Sequence, residues 1–404
     1  MTRPVYEWIG HQGGGREEAV EKLWEMGFTW ADLEDEEYWL DGVAVMRGDV
    51  YEELYRASGR LWNVLDKAAR YVHGRHDLYS LIGIPEVLWE MLDLIPIPSE
   101  GLISRYARFD FAVSDEGVIK LLELNADTPT GYVEASIATP WVCQREGVPT
   151  VNGEMPEQVA AAWGEELPDT AACVDYGTHL EDSGTIEALV RHSGLDIACV
   201  DCLELTIDDG VVKDGQGRVI ERMFALYPKE WMAVDEGGDA LAYSVETGQL
   251  TLFNNPHSIL LQSKGLMAAV WGLYELGLLF DAEDREAIEH YMLPTYNKPV
   301  FSGNFVSKSM FGREGGSVRL YDPAGSLELE DEDGFDSSVL FPSVYQKRAE
   351  LAKIETLEGE LHLLTGMFVI NGKPCGLLGR GGGPITGNTS HFIAMGVRPI
   401  AQEL

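Results

Sequence analysis

The stretch RYARFDFAVSDEGVIKLLELN at Arg105–Asn125 decides the fold, because it predicts a β-hairpin. Its two arms alternate apolar and polar residues, and the turn sequence SDEG lies between them at 114–117. A turn of this length places Val113 opposite Val118. The sequence therefore predicts two antiparallel strands in a defined register.

In this register, side-chain alternation gives the hairpin one polar and one apolar face. Arg108 would lie opposite Glu123, and Asp110 opposite Leu121. The residues expected on the polar face are Arg108, Asp110, Glu123 and Asn125. Those expected on the apolar face are Phe109, Phe111, Leu122 and Leu124. We expect the apolar face to be buried in the protein and the polar face to bind a ligand.

The polar face has the chemistry of a metal–phosphate site. Asp110, Glu123 and Asn125 offer hard oxygen ligands of the kind that Mg²⁺ takes while it also holds substrate phosphates. Arg108 could offset the repulsion between the carboxylates or grip a phosphate or carboxylate with its planar guanidinium. The alternative is an ordinary exposed sheet face with a cross-strand Arg–Glu pair.

A second segment, NFVSKSMFGREGGSVRLY at 304–321, predicts a strand, a glycine loop and another strand. Lys308 lies at the end of the first strand, and the loop at 312–316 can fold closely over phosphates because glycine has no Cβ. Lys264 opens a predicted long helix. Each lysine, taken alone, could equally be a surface charge, but the arrangement favours a flap over a nucleotide.

The amino-acid composition limits the kinds of partner that the protein can bind. The 404 residues exceed one simple core and predict two or three lobes. The formal charge of -37, from 67 acidic and 30 basic residues, argues against nucleic-acid binding and against anionic membranes. A phosphate site must therefore be a local basic pocket in an acidic body. The charge fits either a cationic substrate or a solubility role.

Cysteine usage and the N-terminus favour a reduced cytoplasm. Five cysteines in a long chain do not form a disulfide framework. The C-x-x-C at Cys199 and Cys202 lacks the second pair that a zinc site needs. The first ten residues have no apolar signal core, and the apolar stretch at 258–280 is interrupted by polar residues and predicts a core helix, not a membrane span.

Along the chain, the patterns predict an α+β or α/β protein of three parts. Residues 1–100 read as mainly helical. Residues 101–165 and 260–404 form a catalytic core, in which 328–336 is an exposed acidic loop and 380–384 a glycine loop. Residues 166–259 predict a small α/β lobe with a parallel core.

The chain resembles the synthetase domain of glutathionylspermidine synthase, a family of ATP-grasp carboxylate–amine ligases. The motifs that carry the resemblance occur in the family's order: RFDF at 108–111, ELNADTPTG at 123–131, LYPKEWM at 226–232, SKG around Lys264, VSKSMFGREGGSV at 306–318, VYQ at 344–346 and PITGNTSHF at 384–392. The resemblance implies an ATP-grasp fold, with the nucleotide between two β-rich lobes. It also implies a stand-alone form without the family's amidase domain.

The resemblance assigns roles to matching positions. Asp110, Glu123 and Asn125 would hold two Mg²⁺ ions that bridge the phosphates of ATP. Arg108 and Arg380 would stabilise the charge of the phosphorylated carboxylate. The residues expected to contact the nucleotide are Lys264, Lys308, Gly312, Arg313, Gly315, Gly316 and Gln346.

The implied activity joins a small-molecule acid to an amine through an acyl phosphate, with release of ADP and phosphate. Asp127 and Glu134 are candidate partners for the ammonium groups of a polyamine-like substrate. The glycines after Arg380 and the sequence KRAEL after Gln346 depart from the family pattern. Two alternatives stay open: an ATP-binding scaffold without ligase chemistry, and a phosphotransferase.

Overall fold

A computed structural model of the chain describes residues 4–11, 13–33, 36–99, 101–164, 170–331, 334–357 and 359–399. The elements before the hairpin are β1 (Tyr6–Gly10), α1 (Arg16–Glu25), β2 (Asp32–Leu33), β3 (Glu36–Glu37), β4 (Trp39–Arg47), α2 (Gly48–Val72), α3 (His76–Leu81) and α4 (Trp89–Leu94). The hairpin and the helices that follow it are β5 (Tyr106–Val113), β6 (Ile119–Asn125), α5 (Thr139–Arg145) and α6 (Met155–Trp163).

The middle of the chain contains β7 (Ala171–Asp175), α7 (Leu180–Ser193), β8 (Ala198–Asp201), β9 (Thr206–Asp208), β10 (Val211–Lys213), β11 (Val219–Ile220), β12 (Arg222–Ala225), α8 (Gly238–Glu246) and β13 (Thr251–Leu252). The last part contains α9 (Ser258–Gln262), α10 (Lys264–Glu275), α11 (Ala282–Tyr291), β14 (Thr295–Tyr296), β15 (Phe305–Ser309), β16 (Arg319–Tyr321), β17 (Leu327–Glu330), β18 (Ser343–Lys347), β19 (Lys353–Thr356), β20 (Gly359–Ile370), β21 (Lys373–Gly382) and β22 (His391–Arg398).

An eight-stranded sheet forms the centre, in the order β1-β4-β22-β21-β20-β5-β6 with β19 paired to β20. The predicted hairpin, β5 and β6, forms one edge of this sheet. The strands β1 and β4 come from the part predicted to be mainly helical; its helices α1 and α2 form as expected, but the sequence reading missed these two strands. The division into three parts stays a prediction.

The hairpin forms, but its predicted register was wrong. Asp110 lies opposite Glu123 and Arg108 lies opposite Asn125, with a register shift after Asp110. A β-bulge places two residues of one strand against one of the other. The extra residue is Leu122, so Leu121 joins the buried apolar cluster in the place expected for Leu122.

Helix α2 covers the apolar face of the hairpin. Its buried residues recur at helical spacing and include Leu54, Leu61 and Leu65. Trp62 on this helix meets the ring of Phe109 edge to face, with centroids 6.3 Å apart. The opposite face of the hairpin is thereby left to form the wall of a cleft.

The small α/β lobe forms as predicted. Its sheet, in the order β13-β12-β7-β8, is parallel throughout, and α7 connects β7 to β8. A hairpin with its turn near 208–210 joins β9 to β10 as part of a three-stranded sheet. The mixed α+β class expected from the sequence is thus confirmed.

A five-stranded antiparallel sheet, in the order β14-β18-β15-β16-β17, carries the glycine loop between β15 and β16. Two local predictions near it were wrong. The acidic run at 328–336 begins inside the exposed strand β17, and Arg380 lies within β21 instead of in a loop. In both cases a neighbouring strand supplies hydrogen bonds that the local sequence does not reveal.

The apolar stretch at 258–280 is two helices instead of one. Ser263 separates α9 from α10 with an extended backbone, and its side chain accepts a hydrogen bond from the amide of Gly265 as an N-cap. Lys264 therefore opens α10, as predicted. Within the described residues, no helix combines the length and apolar character needed to cross a membrane. All five cysteines are free thiols, as expected.

Two glycines of α10 provide a matched test of this packing. A Cβ on Gly265 would lie 2.6 Å from the Cα of Ile82, whereas a Cβ on Gly272 would meet nothing within 4 Å. We expect Gly265→Ala to lower the free energy of unfolding by about 1–3 kcal/mol through overpacking. Gly272→Ala should raise it by about 0.5–1 kcal/mol. Chemical denaturation measures both, and equal shifts would contradict the packing.

Candidate functional site

A cleft lies between the polar face of the hairpin and the five-stranded sheet. It is lined by residues from both walls, by the glycine loop and by β21. The residues that line it include six cationic and four acidic ones: Arg108, Lys308, Arg313, Lys347, Arg348 and Arg380, and Asp110, Glu123, Glu181 and Glu314. This is the local basic pocket that the acidic composition required.

The four polar hairpin residues form one connected group. The guanidinium of Arg108 donates to both oxygens of Asp110, at 2.7 and 2.8 Å. The Asn125 amide donates to Asp110 at 3.1 Å and to Glu123 at 3.2 Å. The bulge at Leu122 makes this possible because it places the two carboxylates directly across from each other. The alternative of an ordinary exposed face fails, since Asp110 and Asn125 are buried.

Both predicted lysines reach this group from other elements. Lys264 lies 3.1 Å from Glu123 and also donates to the carbonyl of Gly312 at 2.7 Å. Lys308 donates to the carbonyl of Leu122 at 3.1 Å. The carboxylates of the hairpin and the lysines of α10 and β15 therefore compensate each other's charge.

The electrostatics follow from this pairing. Burial alone would raise the pKa of Glu123, but Lys264 and Lys308 outweigh it and lower the pKa to about 2. Burial lowers the pKa of Lys308 to about 8, against the opposing pull of Glu123. Glu123 is thus an anion at any ordinary pH, and Lys308 is a cation that holds its proton only up to about pH 8.

The hairpin residues fit a hard divalent cation. Two carboxylates match the oxygen preference of Mg²⁺, which commonly takes one or two carboxylates and completes its shell with water and phosphates. The oxygen of Asn125 accepts from the Gln262 amide at 3.4 Å, so it would become a ligand only after the Asn125 amide turned over. Among the described residues, no three His, Cys, Asp or Glu side chains are grouped as a metal cage. A metal here would therefore depend on a ligand that supplies further oxygens.

Gln346 is held differently from expectation. Its side chain is buried, accepts a hydrogen bond from Lys308 at 3.0 Å and donates to the hydroxyl of Thr295 at 3.3 Å. Both ends of the amide are therefore occupied by protein groups. Residues 347–349, which follow Gln346, also line the cleft. An adenine base bound in this part of the cleft would contact them.

The glycines of the loop are required by neighbouring backbone. A Cβ on Gly312 would lie 2.9 Å from the carbonyl of Gly316, and one on Gly315 would lie 2.7 Å from the carbonyl of Thr386. Gly315 also has φ of +78°, which disfavours other residues. A Cβ on Gly316 would lie 2.5 Å from the carbonyl of Phe335. The sequence located the loop, but the need for glycine comes from these contacts.

Arg380 lies on the far side of the cleft. It donates to the carbonyls of Gly387 and Ser390 at 3.0 and 3.1 Å and stacks over the ring of Tyr38. Its Nε has no hydrogen-bond partner although it is buried. Arg380 lines the cleft, and this Nε leaves part of the donor capacity of its guanidinium unused by the protein.

Two predicted ammonium-binding residues do not face the cleft, so that prediction was wrong. Asp127 is buried and pairs with the Lys229 ammonium and backbone amide. Glu134 is buried and accepts from the Trp30 indole and the Tyr38 hydroxyl, both at 3.0 Å. Both carboxylates are needed inside the protein, where neighbouring donors stabilise them.

Sequence reasoning missed Glu181, which does line the cleft. Burial and the nearby charge of Glu134 raise its pKa to about 7, although Arg380 opposes the shift. A carboxyl group with such a pKa can gain and lose a proton near neutral pH. Its position at the start of α7, in the small lobe, gives no local signal of this role.

Comparison with known proteins finds similarity over most of the chain. The family described as glutathionylspermidine synthase preATP-grasp matches residues 12–398. A protein of Haemophilus influenzae described as "Putative acid--amine ligase" is 26% identical over 409 residues, which cover 94% of this chain and 96% of that protein. The solved structure of a "Putative gamma-glutamylcysteine synthetase" from Methylobacillus flagellatus has a TM-score of 0.45 at 9% identity, over 85% of this chain and 88% of that one.

The Arg108–Asp110 pair provides a stability test. Both side chains are largely buried, with 13% and 5% exposure. Asp110→Asn should lower the free energy of unfolding by about 3 kcal/mol, because it leaves a buried guanidinium without a carboxylate. Urea denaturation measures the change. Glu25→Gln, which breaks the exposed Lys22–Glu25 pair, is the control and should leave the midpoint unchanged.

Proposed function

We propose, from the premise that this chain belongs to the glutathionylspermidine synthase preATP-grasp family, that it is an ATP-dependent ligase that joins a small-molecule acid to an amine. The observation that carries the proposal is the convergence of Asp110, Glu123 and Lys308 on one cleft beneath a glycine loop, with Lys264 paired to Glu123 at 3.1 Å. The printed description of the Haemophilus influenzae relative as an acid–amine ligase supports it.

The first step is phosphoryl transfer. A carboxylate oxygen of the acid attacks the γ-phosphorus of ATP, ADP leaves, and an acyl phosphate forms. Mg²⁺ bound by Asp110, Glu123 and Asn125 would neutralise phosphate charge. Lys264 and Lys308 would hold the phosphate oxygens, since such reactions depend on positioning and charge stabilisation and require little covalent participation by the protein.

The two arginines would act at the acid. Arg108 at the hairpin and Arg380 on β21 line the same cleft. The buried Nε of Arg380 has no partner in the protein and can donate to a carboxylate or acyl-phosphate oxygen. In the second step, the amine nitrogen attacks the acyl carbon and phosphate leaves.

The amine must lose a proton when the amide forms, and we propose that Glu181 accepts it. Glu181 lines the cleft near Arg380, and its raised pKa of about 7 suits a proton acceptor near neutral pH. Asp127 and Glu134 are excluded from this role because both are already bound within the protein. The proposal thus assigns the nucleotide, the acid and the amine to different residues of one cleft.

The reaction is tested by mixing the protein with Mg–ATP and pools of acids and amines. We expect one ADP, one phosphate and one amide per turnover. With hydroxylamine in place of the amine, the acyl phosphate should be trapped as a hydroxamate. ADP release with a stable phosphorylated product and no hydroxamate would indicate a phosphotransferase. ATP binding without turnover across the pools would indicate a scaffold.

The role of Glu181 predicts a pH dependence. Because the pKa is about 7, the carboxylate form, and hence the ability to accept a proton, is lost as the pH falls through 7. The ratio of kcat/KM for the amine in wild type to that in Glu181→Gln should therefore rise from pH 6 to pH 8, by about tenfold. Taking the ratio cancels the titration of the amine itself.

Glu187→Gln is the matched control, since Glu187 lies on the same helix but is exposed. Its ratio to wild type should not change with pH. A flat ratio for Glu181→Gln would remove Glu181 from proton transfer and leave the ligase proposal intact.

A further inference from the structure

The glycine loop packs against the loop between β21 and β22 and against the connection between β17 and β18 of its own sheet. Gly315 and Gly316 pack against the carbonyls of Thr386 and Phe335, so closely that a Cβ would not fit. These contacts belong to loops from two other parts of the chain. The glycine loop therefore lies in a closed position over the cleft.

Arg313 extends from this loop to the small α/β lobe. Its Nε and Nη2 both donate to Oε1 of Glu230, at 3.1 and 2.9 Å, and its Nη1 donates to the hydroxyl of Thr128 at 2.9 Å. The sequence placed Arg313 among the nucleotide contacts. In the structure its three donor nitrogens are instead directed at protein acceptors across the mouth of the cleft.

The partner of Arg313 is firmly anchored. Glu230 lies in the helical turn Lys229–Ala233 and is 1% exposed. The preceding Lys229 pairs with buried Asp127 at the exit of the hairpin. Thr128, the second acceptor, follows Asp127 directly. The guanidinium of Arg313 thus connects the glycine loop to the place where the hairpin meets the small lobe.

Opening of the glycine loop would leave the buried carboxylate of Glu230 without its cation. Oε2 of Glu230 is buried and has no hydrogen-bond partner, so Oε1 makes all the side-chain bonds of this carboxylate. If Arg313 withdrew, a buried anion would lose its cation, which is strongly unfavourable. The Arg313–Glu230 contact is therefore a latch with a preference for the closed state.

We propose that Arg313 is a positioning residue that latches the glycine loop shut and so keeps water away from the acyl phosphate until the amine attacks. This inference rests on the proposed ligase function. Shielding matters because an acyl phosphate that meets water is hydrolysed to acid and phosphate, and the ATP is consumed without amide. The latch should therefore determine how many ATP molecules are consumed for each amide that forms.

The first test needs no substrate. Hydrogen–deuterium exchange of residues 310–318 in the full chain should be about tenfold faster or more in Arg313→Ala than in wild type, since a charge-assisted bond that holds the loop is lost. Arg313→Lys should be intermediate, because one ammonium cannot serve Glu230 and Thr128 together. Glu230→Gln loosens the same contact from the other side and should act in the same direction.

Arg60→Lys is the matched control. Arg60 is 21% exposed, similar to the 25% of Arg313, and it also bridges two elements through a glutamate, at 2.8 Å. It does not line the cleft, and exchange at 310–318 should be unchanged. If Arg313→Ala and Glu230→Gln both leave exchange of the loop unchanged, the latch is overturned.

The second test measures ADP released per amide formed. We expect about one in wild type and in Arg60→Lys, and about two or more in Arg313→Ala, with hydroxamate yield falling in parallel. A ratio that stays at one while exchange rises would overturn the shielding role. Wild type that makes no amide with any acid and amine would overturn the ligase function, and the exchange experiment would still decide the latch.

Discussion

The compensation of charge across the hairpin is the constraint on which the rest of the structure depends. Two carboxylates on a buried sheet face are tolerated only because Arg108, Lys264 and Lys308 converge on them. These cations come from the hairpin itself, from the start of α10 and from β15. Because these cations must lie next to the carboxylates, three segments that are distant in the sequence come together here, and the cleft forms where they meet.

The same compensation explains how an acidic protein can present a phosphate site. The chain carries a formal charge of -37, yet cationic side chains outnumber carboxylates along the cleft. Burial and mutual repulsion hold Lys308 close to losing its proton. The positive charge is thus confined to one local pocket, where low dielectric makes each interaction strong.

Local patterns were sufficient for several elements and insufficient for others. The hairpin, α2, the parallel lobe and the strand–loop–strand at 304–321 follow from alternation, helical spacing and turn residues, which are short-range signals. The register was missed because Val113 pairs with Ile119 at the turn instead of Val118, and because regular alternation gives no local sign of the extra residue Leu122. Strand β4 was missed because its partner β22 lies at the other end of the chain, and β1 was missed with it because β1 pairs with β4.

The sequence by itself determined which chemical groups this protein has to offer: oxygen ligands on one hairpin, two lysines, two arginines and a glycine loop, since residue type and local spacing carry that information. Only the tertiary structure decided how they are used. It turned Asp127 and Glu134 inward, paired Gln346 with Lys308, directed Arg313 to Glu230 and placed Glu181 along the cleft. Burial and long-range pairing set those outcomes, and neither is written in the neighbouring residues.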